Sequence, residues 1–331
     1  MSKKTKTLAI VLGVVVLASV GFFFRGPLAH IQLPAEKIST IAGFSITNTI
    51  IAAWLSIVVL LLISYFGTRR MQLVPTGLQN FVEVVVEMFL GLVENVAGKK
   101  HGRRFFPVVT TIFLFIVVSN WMGLLPGYGT IGIVEHDDHG NAFNKADIAG
   151  AEIALFMPGG EEHTDSHEAK DVERGILVPF LRSANTDVNT PLALALMSAI
   201  FVEYWGISTL GFLKYMSKFF DVRLLLKGNL FFGFINLFIG ILELLSELVR
   251  VVSFTFRLFG NIIAGEILIA VMVFMVPWIA VVPFYGLEIF VGFIQAFIFA
   301  MLTLIFGVIA VMEHGGEQHG ESHGEEHAVQ Q

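Results

Sequence analysis

No cysteine occurs among the 331 residues, which removes disulfides, thiolate metal sites and thiol catalysis and leaves the redox compartment open. Charge is scarce too: Asp, Glu, Lys and Arg make up 15% of the chain. The basic residues fall in short clusters beside apolar stretches, so there is no open cationic face of the kind that tracks a nucleic acid. A phosphate-cradling loop is also missing, because Gly98-Lys99-Lys100 lacks both the glycine-rich lead and a Ser or Thr after lysine. His163 and His167 do not form an H-E-x-x-H zinc pattern, since Thr164 follows His163. The chain shows no internal repeat, whereas secondary transporters usually carry two related halves.

What the chain has in quantity is apolar residues. Hydrophobic residues make up 55% of it, including 32 Phe, and the mean hydropathy is +0.76. These values indicate an all-α, polytopic membrane protein. The net charge of −6 misleads as an average, because the acids crowd into one loop and the tail.

Residues 1–48 read as an N-terminal apolar segment and a link. MSKKTKT followed by the apolar Leu8 to Phe24 fits a signal peptide or a signal anchor; with no A-x-A site after it, an uncleaved anchor is expected. Residues 49–312 form the membrane domain, with about five spanning or interfacial helices. Thr49 to Phe66 spans and ends at the basic Thr68-Arg69-Arg70. Gln79 to Glu94 is amphipathic, with Asn80, Glu83, Glu87 and Glu94 at helical spacing, and Lys99, Lys100, Arg103 and Arg104 follow it. It is expected to lie along the cytoplasmic interface.

Phe105 to Leu125 spans next and ends at Pro126-Gly127. Residues 128–187 are acidic and without apolar periodicity, which predicts an external loop. Asn189 to Phe212 returns, and Lys214, Lys218, Arg223 and Lys227 mark the cytoplasmic side again. Gly228 to Met275 is far longer than a bilayer requires, so it must break, tilt steeply or begin outside the core. After Pro277 and Pro283, Phe284 to Met312 completes a long tilted two-helix hairpin. The tail, 313–331, spaces His314, His319, His323 and His327 among Glu and Gly and reads as disordered and solvated rather than as a metal site.

The chemistry concentrates in ELLSELVRVVSFTFRLFGNIIAGE, Glu243 to Glu266. At about 100° per residue, Glu243, Ser246, Glu247, Arg250, Ser253, Arg257 and Asn261 share an arc of about 120°, and Glu266 falls on the opposite side. A buried polar seam or a water-filled vestibule would account for such a stripe, as would an ion path. Arginine favours the last, because it cannot release its proton and so holds a fixed positive charge between two routes. On the final helix Glu288 and Gln295, seven residues apart, share a face and with Glu266 would line a second route.

At SFTFRLFGNIIAGE the sequence strongly resembles subunit a of bacterial rotary ATP synthases. The resemblance extends to Leu242-Glu243 with Ser246, Asp187-Val188-Asn189-Thr190, Gln295-Ala296-Phe297-Ile298-Phe299 and Asn120-Trp121-Met122-Gly123-Leu124-Leu125-Pro126. It covers about Thr49 to Met312. It implies a non-catalytic stator subunit of the bacterial cell membrane, with the c-ring, the peripheral-stalk b subunits and the bilayer as partners. No cofactor, metal or nucleotide is expected on this chain. Arg257 would face the ring's ion-binding carboxylates; Asn261, Glu266 and Gln295 would belong to the outer half-channel, and Glu243 with Ser246 to the inner one.

Two departures stand out. Acids occupy both Glu266 and Glu288 where many relatives pair an acid with a histidine, so the two carboxylates would share a proton, stand apart in water or bind a cation. Gly123 stands where some relatives carry an acid. A secondary ion transporter using the same polar helix is the alternative, and a non-transporting scaffold the third reading.

Overall fold

The computed structural model describes residues 35–41, 43–129, 131–148, 151–156, 172–219, 230–275 and 281–312. The Leu8–Phe24 segment, His163, His167, Arg223, Lys227, Pro277 and the tail lie outside the described residues.

A short antiparallel hairpin, β1 (Lys37–Ile41) and β2 (Phe44–Thr47), leads into helix α1 (Asn48–Thr68). Thr47 caps that helix, its hydroxyl accepting from the Ile50 N–H at 3.4 Å. Helix α2 (Leu78–Gly123) is two limbs joined at Gly98, whose φ of 72° suits a residue without a Cβ and turns the chain. The limbs fold against each other: Gly102 lies so close to Glu94 that a Cβ would come within 3.0 Å of its Cα. Arg103 pairs with Glu94 at 2.9 Å. Phe89 and Val93 of the first limb pack on Phe105, Val109 and Phe113 of the second. The amphipathic segment therefore spends part of its apolar face on the bundle, not all of it on the interface.

The acidic connection is not the plain loop its composition suggests. Strand β3 (Gly132–Ile148) pairs with β4 (Ala151–Phe156) and β5 (Val172–Pro179) in an antiparallel sheet of order β4-β3-β5, with a register shift between His136 and Asn141. Backbone pairing along a long strand needs no apolar face of its own, which is why periodicity did not announce it. The sheet is tied to the helices. Asn48 donates to the Pro179 carbonyl at 3.2 Å, and Gly129 N–H donates to the Leu181 carbonyl at 2.8 Å.

Helices α3 (Asn189–Leu210), α4 (Phe212–Phe219), α5 (Leu230–Met275) and α6 (Val281–Val311) complete the fold. Among the described residues there are five helices long and apolar enough to cross a membrane. The protein is an all-α, multi-pass membrane protein, with the small sheets as appendages at one end. Helix α5 runs unbroken for 46 residues. At about 1.5 Å per residue it is about twice the thickness of a bilayer core, so of the three ways of fitting it, an internal break is not the one used.

Between helices in lipid there is little hydrophobic drive, so close packing through small residues matters. Gly307 receives the Trp205 ring, with 2.8 Å left for a Cβ, and Gly206 receives the Tyr215 ring. Phe105 lies on Trp205 with ring centres 4.2 Å apart. Outward-facing Leu61, Ile200 and Phe238 are exposed, as lipid-facing side chains are. The described basic clusters (Arg69, Arg70, Lys99, Lys100, Arg103, Arg104 and Lys214) all gather at the end opposite the sheet. Arg104 there reaches Ser208 at 2.6 Å and Gly67 lies against Val82.

Candidate proton path

Three contacts set the levels of the antiparallel α5–α6 hairpin. Gly265 abuts the Glu288 carboxylate, Phe254 meets Phe299 at 4.8 Å, and the Arg250 guanidinium lies 3.7 Å from the Phe306 ring centre. Gln295 is therefore nearly level with Arg257, and Gly292 with Asn261. Phe254, Leu258 and Ile262 form the buried face of α5, while Ser246, Ser253 and Arg257 are exposed and Glu243, Glu247 and Asn261 are half-buried. The polar stripe thus follows the seam between the packed face and the free face. Arg257 touches the Phe254 ring at 5.7 Å and has no carboxylate partner among the described residues.

Toward the sheet end, polar groups succeed one another. Arg182, which is 6% exposed, holds Glu266 in a bidentate pair. Its Nε donates to Oε1 at 3.0 Å and its Nη2 to Oε2 at 3.0 Å. Glu288 is buried with its carboxylate against Gly265. Below them Asn185 donates to Asn120 Oδ1 at 2.7 Å and to Ser119 at 2.9 Å, and Asn120 donates to the Gly292 carbonyl at 3.3 Å. Asn261 Nδ2, Gln295 Nε2, Asn185 Oδ1 and Ser183 Oγ are buried and without a hydrogen-bond partner among the described residues.

The opposite end carries a second acidic group. Tyr215 of α4 is fully buried under Gly206. Burial first, and then the nearby carboxylates of Glu203, Glu247 and Glu243, push its phenol well above its ordinary value. Between the two groups, Phe254, Phe299 and Phe306 form an aromatic partition flanked by Arg250 and Arg257.

The expected site residues are thus divided into two sets. Glu266, Glu288, Asn261 and Gln295 lie on one side of the partition, and Glu243 and Ser246 on the other. Glu288 lies beside Gly265, next to Glu266, but no hydrogen bond joins the two carboxylates; that of Glu266 is held by Arg182. Gly123 also acquires a reason, since a Cβ there would come within 2.6 Å of Ser183 Cβ, leaving no room for an acid. Asp187 holds the start of α3, accepting from the Asn189 N–H at 3.1 Å and from the Thr49 hydroxyl at 3.3 Å. Sequence reading missed Arg182, Asn185 and Glu203. Only Glu203, a lone carboxylate in an apolar span, carried a signal.

Residues 50–307 match the family described as ATP synthase A chain. The chain belongs to that family. It is also 30% identical over 268 residues to the ATP synthase subunit a of Gloeobacter violaceus, covering 81% of this chain and 85% of that one. Membership makes it a membrane-sector subunit of the ATP synthase complex. The match reaches into all five apolar helices of the described residues.

Proposed function

We propose that this chain is the non-catalytic stator channel of the synthase, coupling proton movement to rotation of a c-ring in a bacterial cell membrane. The observation that carries the reading is Arg257, a permanently charged group exposed on an apolar helix with no carboxylate partner among the described residues. A bare cation at that depth is costly, so it calls for a carboxylate on another chain, as a c-ring supplies. The polar groups on either side serve as two half-channels. Glu243 and Ser246, with Glu203, form the inner one; Glu266, Glu288, Asn261 and Gln295 form the outer one. The unpartnered donors and acceptors around Asn185, Asn261 and Gln295 suit a file of water, which satisfies such atoms and relays protons. The b subunits would dock on the same complex.

Silver-ion inhibition of single-cysteine variants tests the division. Ser246→Cys should be blocked from one side of the membrane and Ala264→Cys from the other. Access to both from the same side would mean one continuous path and would sink the two-channel reading. Orientation is tested separately with an impermeant thiol reagent on intact cells. Phe180→Cys, at the sheet end, should react, whereas Leu213→Cys in α4 should react only after permeabilisation. The reverse pattern would invert the assignment of inner and outer routes.

A further inference from the structure

Nothing in the outer route as read from sequence requires a second arginine, yet one is built into it. Arg182 is the most buried cation in the described part of the chain that is held by an acid: its side chain is 7% exposed, against 41% for Glu266. Its backbone is fixed on both sides. Leu181 accepts from Gly129 N–H, and Ser183 sits against Gly123. The pair is bidentate, a geometry that needs the ionised carboxylate, whose two oxygens both accept. Glu288 lies against Gly265, the residue next to Glu266, and has no cationic partner among the described residues.

We propose that Arg182 is a positioning residue of the outer route: it occupies Glu266 as a fixed ion pair and leaves Glu288 as the acid that takes up and gives away the proton. The inference rests on the proton-path reading and assigns roles within it. Arginine does not release its proton, so the guanidinium keeps both Glu266 oxygens engaged as acceptors and leaves Glu288 the neighbouring carboxylate without a cation among the described residues. Glu266 in turn has a protective role, because it keeps a buried guanidinium from seizing the next carboxylate along, Glu288.

That protective role predicts an unusual pattern among variants of the intact synthase in inverted membrane vesicles. ATP-driven proton uptake is measured per assembled complex. Glu266→Gln frees Arg182 to capture Glu288 and should lower uptake about tenfold or more. Arg182→Gln should be milder. The double variant should pump better than Glu266→Gln alone, by about threefold or more, because the trap is gone. A merely structural staple predicts the opposite: two equal single losses and a double variant no better than either.

Equal single losses without recovery would overturn the proposal, as would wild-type uptake in Glu266→Gln. If Arg182→Gln fails to assemble, Arg182→Met, which keeps the bulk without the charge, makes the same comparison. Arg257→Ala runs alongside. Should it pump normally, the proton-path reading itself fails; should it be inactive while the double variant shows no recovery, only the clamp fails.

Discussion

Arg257→Ala is expected to abolish both ATP-driven proton pumping and proton-driven ATP synthesis, with the complex still assembling in near-normal amount. The expectation follows from where the charge sits. A ring carboxylate facing lipid must be protonated, because a bare charge in hydrocarbon is prohibitive, but beside a guanidinium it ionises readily. At an effective dielectric of about 20, two unit charges about 4 Å apart attract by roughly 4 kcal/mol. On the proposed reading that would be enough to strip a proton from a passing ring carboxylate, and desolvation would offset part of it, leaving the ring free to turn. Alanine removes this bias and also opens the end of the partition formed by Phe254, Phe299 and Phe306. Assembly should survive, since Arg257 is exposed and makes no ion pair among the described residues. Coupled pumping at the wild-type rate in vesicles from this variant would refute the ion-path reading.

Much of this arrangement was legible in the sequence because a helix has a fixed period. The stripe of Glu243, Ser246, Arg250, Arg257 and Asn261 needs only about 100° per residue, and the structure keeps those residues along one seam of α5. The same arithmetic turned Glu266 away from that stripe but could not name what waits on the other side. Its partner Arg182 is 84 residues earlier, in a connection without periodicity. Glu288 was the nearest visible candidate, and it does lie next door, against Gly265.

The Asn120–Asn185 network failed to show for a related reason. Asn120 read as part of a turn motif, and only folding brings Asn185 to within 2.7 Å of it. The sheet was hidden differently, since its pairing is carried by backbone groups that every residue possesses. Glycines are the other unreadable element. Gly123, Gly206, Gly265, Gly292 and Gly307 all mark places where another chain segment comes close, yet in the sequence a glycine does not say what approaches it.

Gly265→Ala is expected to cripple coupled pumping for that reason, and its suppression should identify the cause. A Cβ built at Gly265 falls on the Glu288 carboxylate, so the added methyl must push away either α6 or the carboxylate itself. Overpacking of this kind costs roughly 1–3 kcal/mol, and here the displaced atoms are the ones proposed to carry the proton. Proton uptake per assembled complex should therefore fall at least about tenfold, since a small misplacement of a reacting group is expensive. Helix α6 cannot retreat freely, because Gly292 already rests against Asn120 with 3.2 Å left for a Cβ, and Phe299 is fully buried against Phe254. The carboxylate is what must move. Glu288→Asp, one methylene shorter, withdraws it from the new methyl. In the Gly265→Ala background this change should restore uptake severalfold, although in the wild-type background it should lower uptake modestly. Restoration only when room is made at residue 288 would tie the defect to that contact. If Gly265→Ala pumps normally, or if Glu288→Asp deepens its defect, then the carboxylate does not work from its place against Gly265.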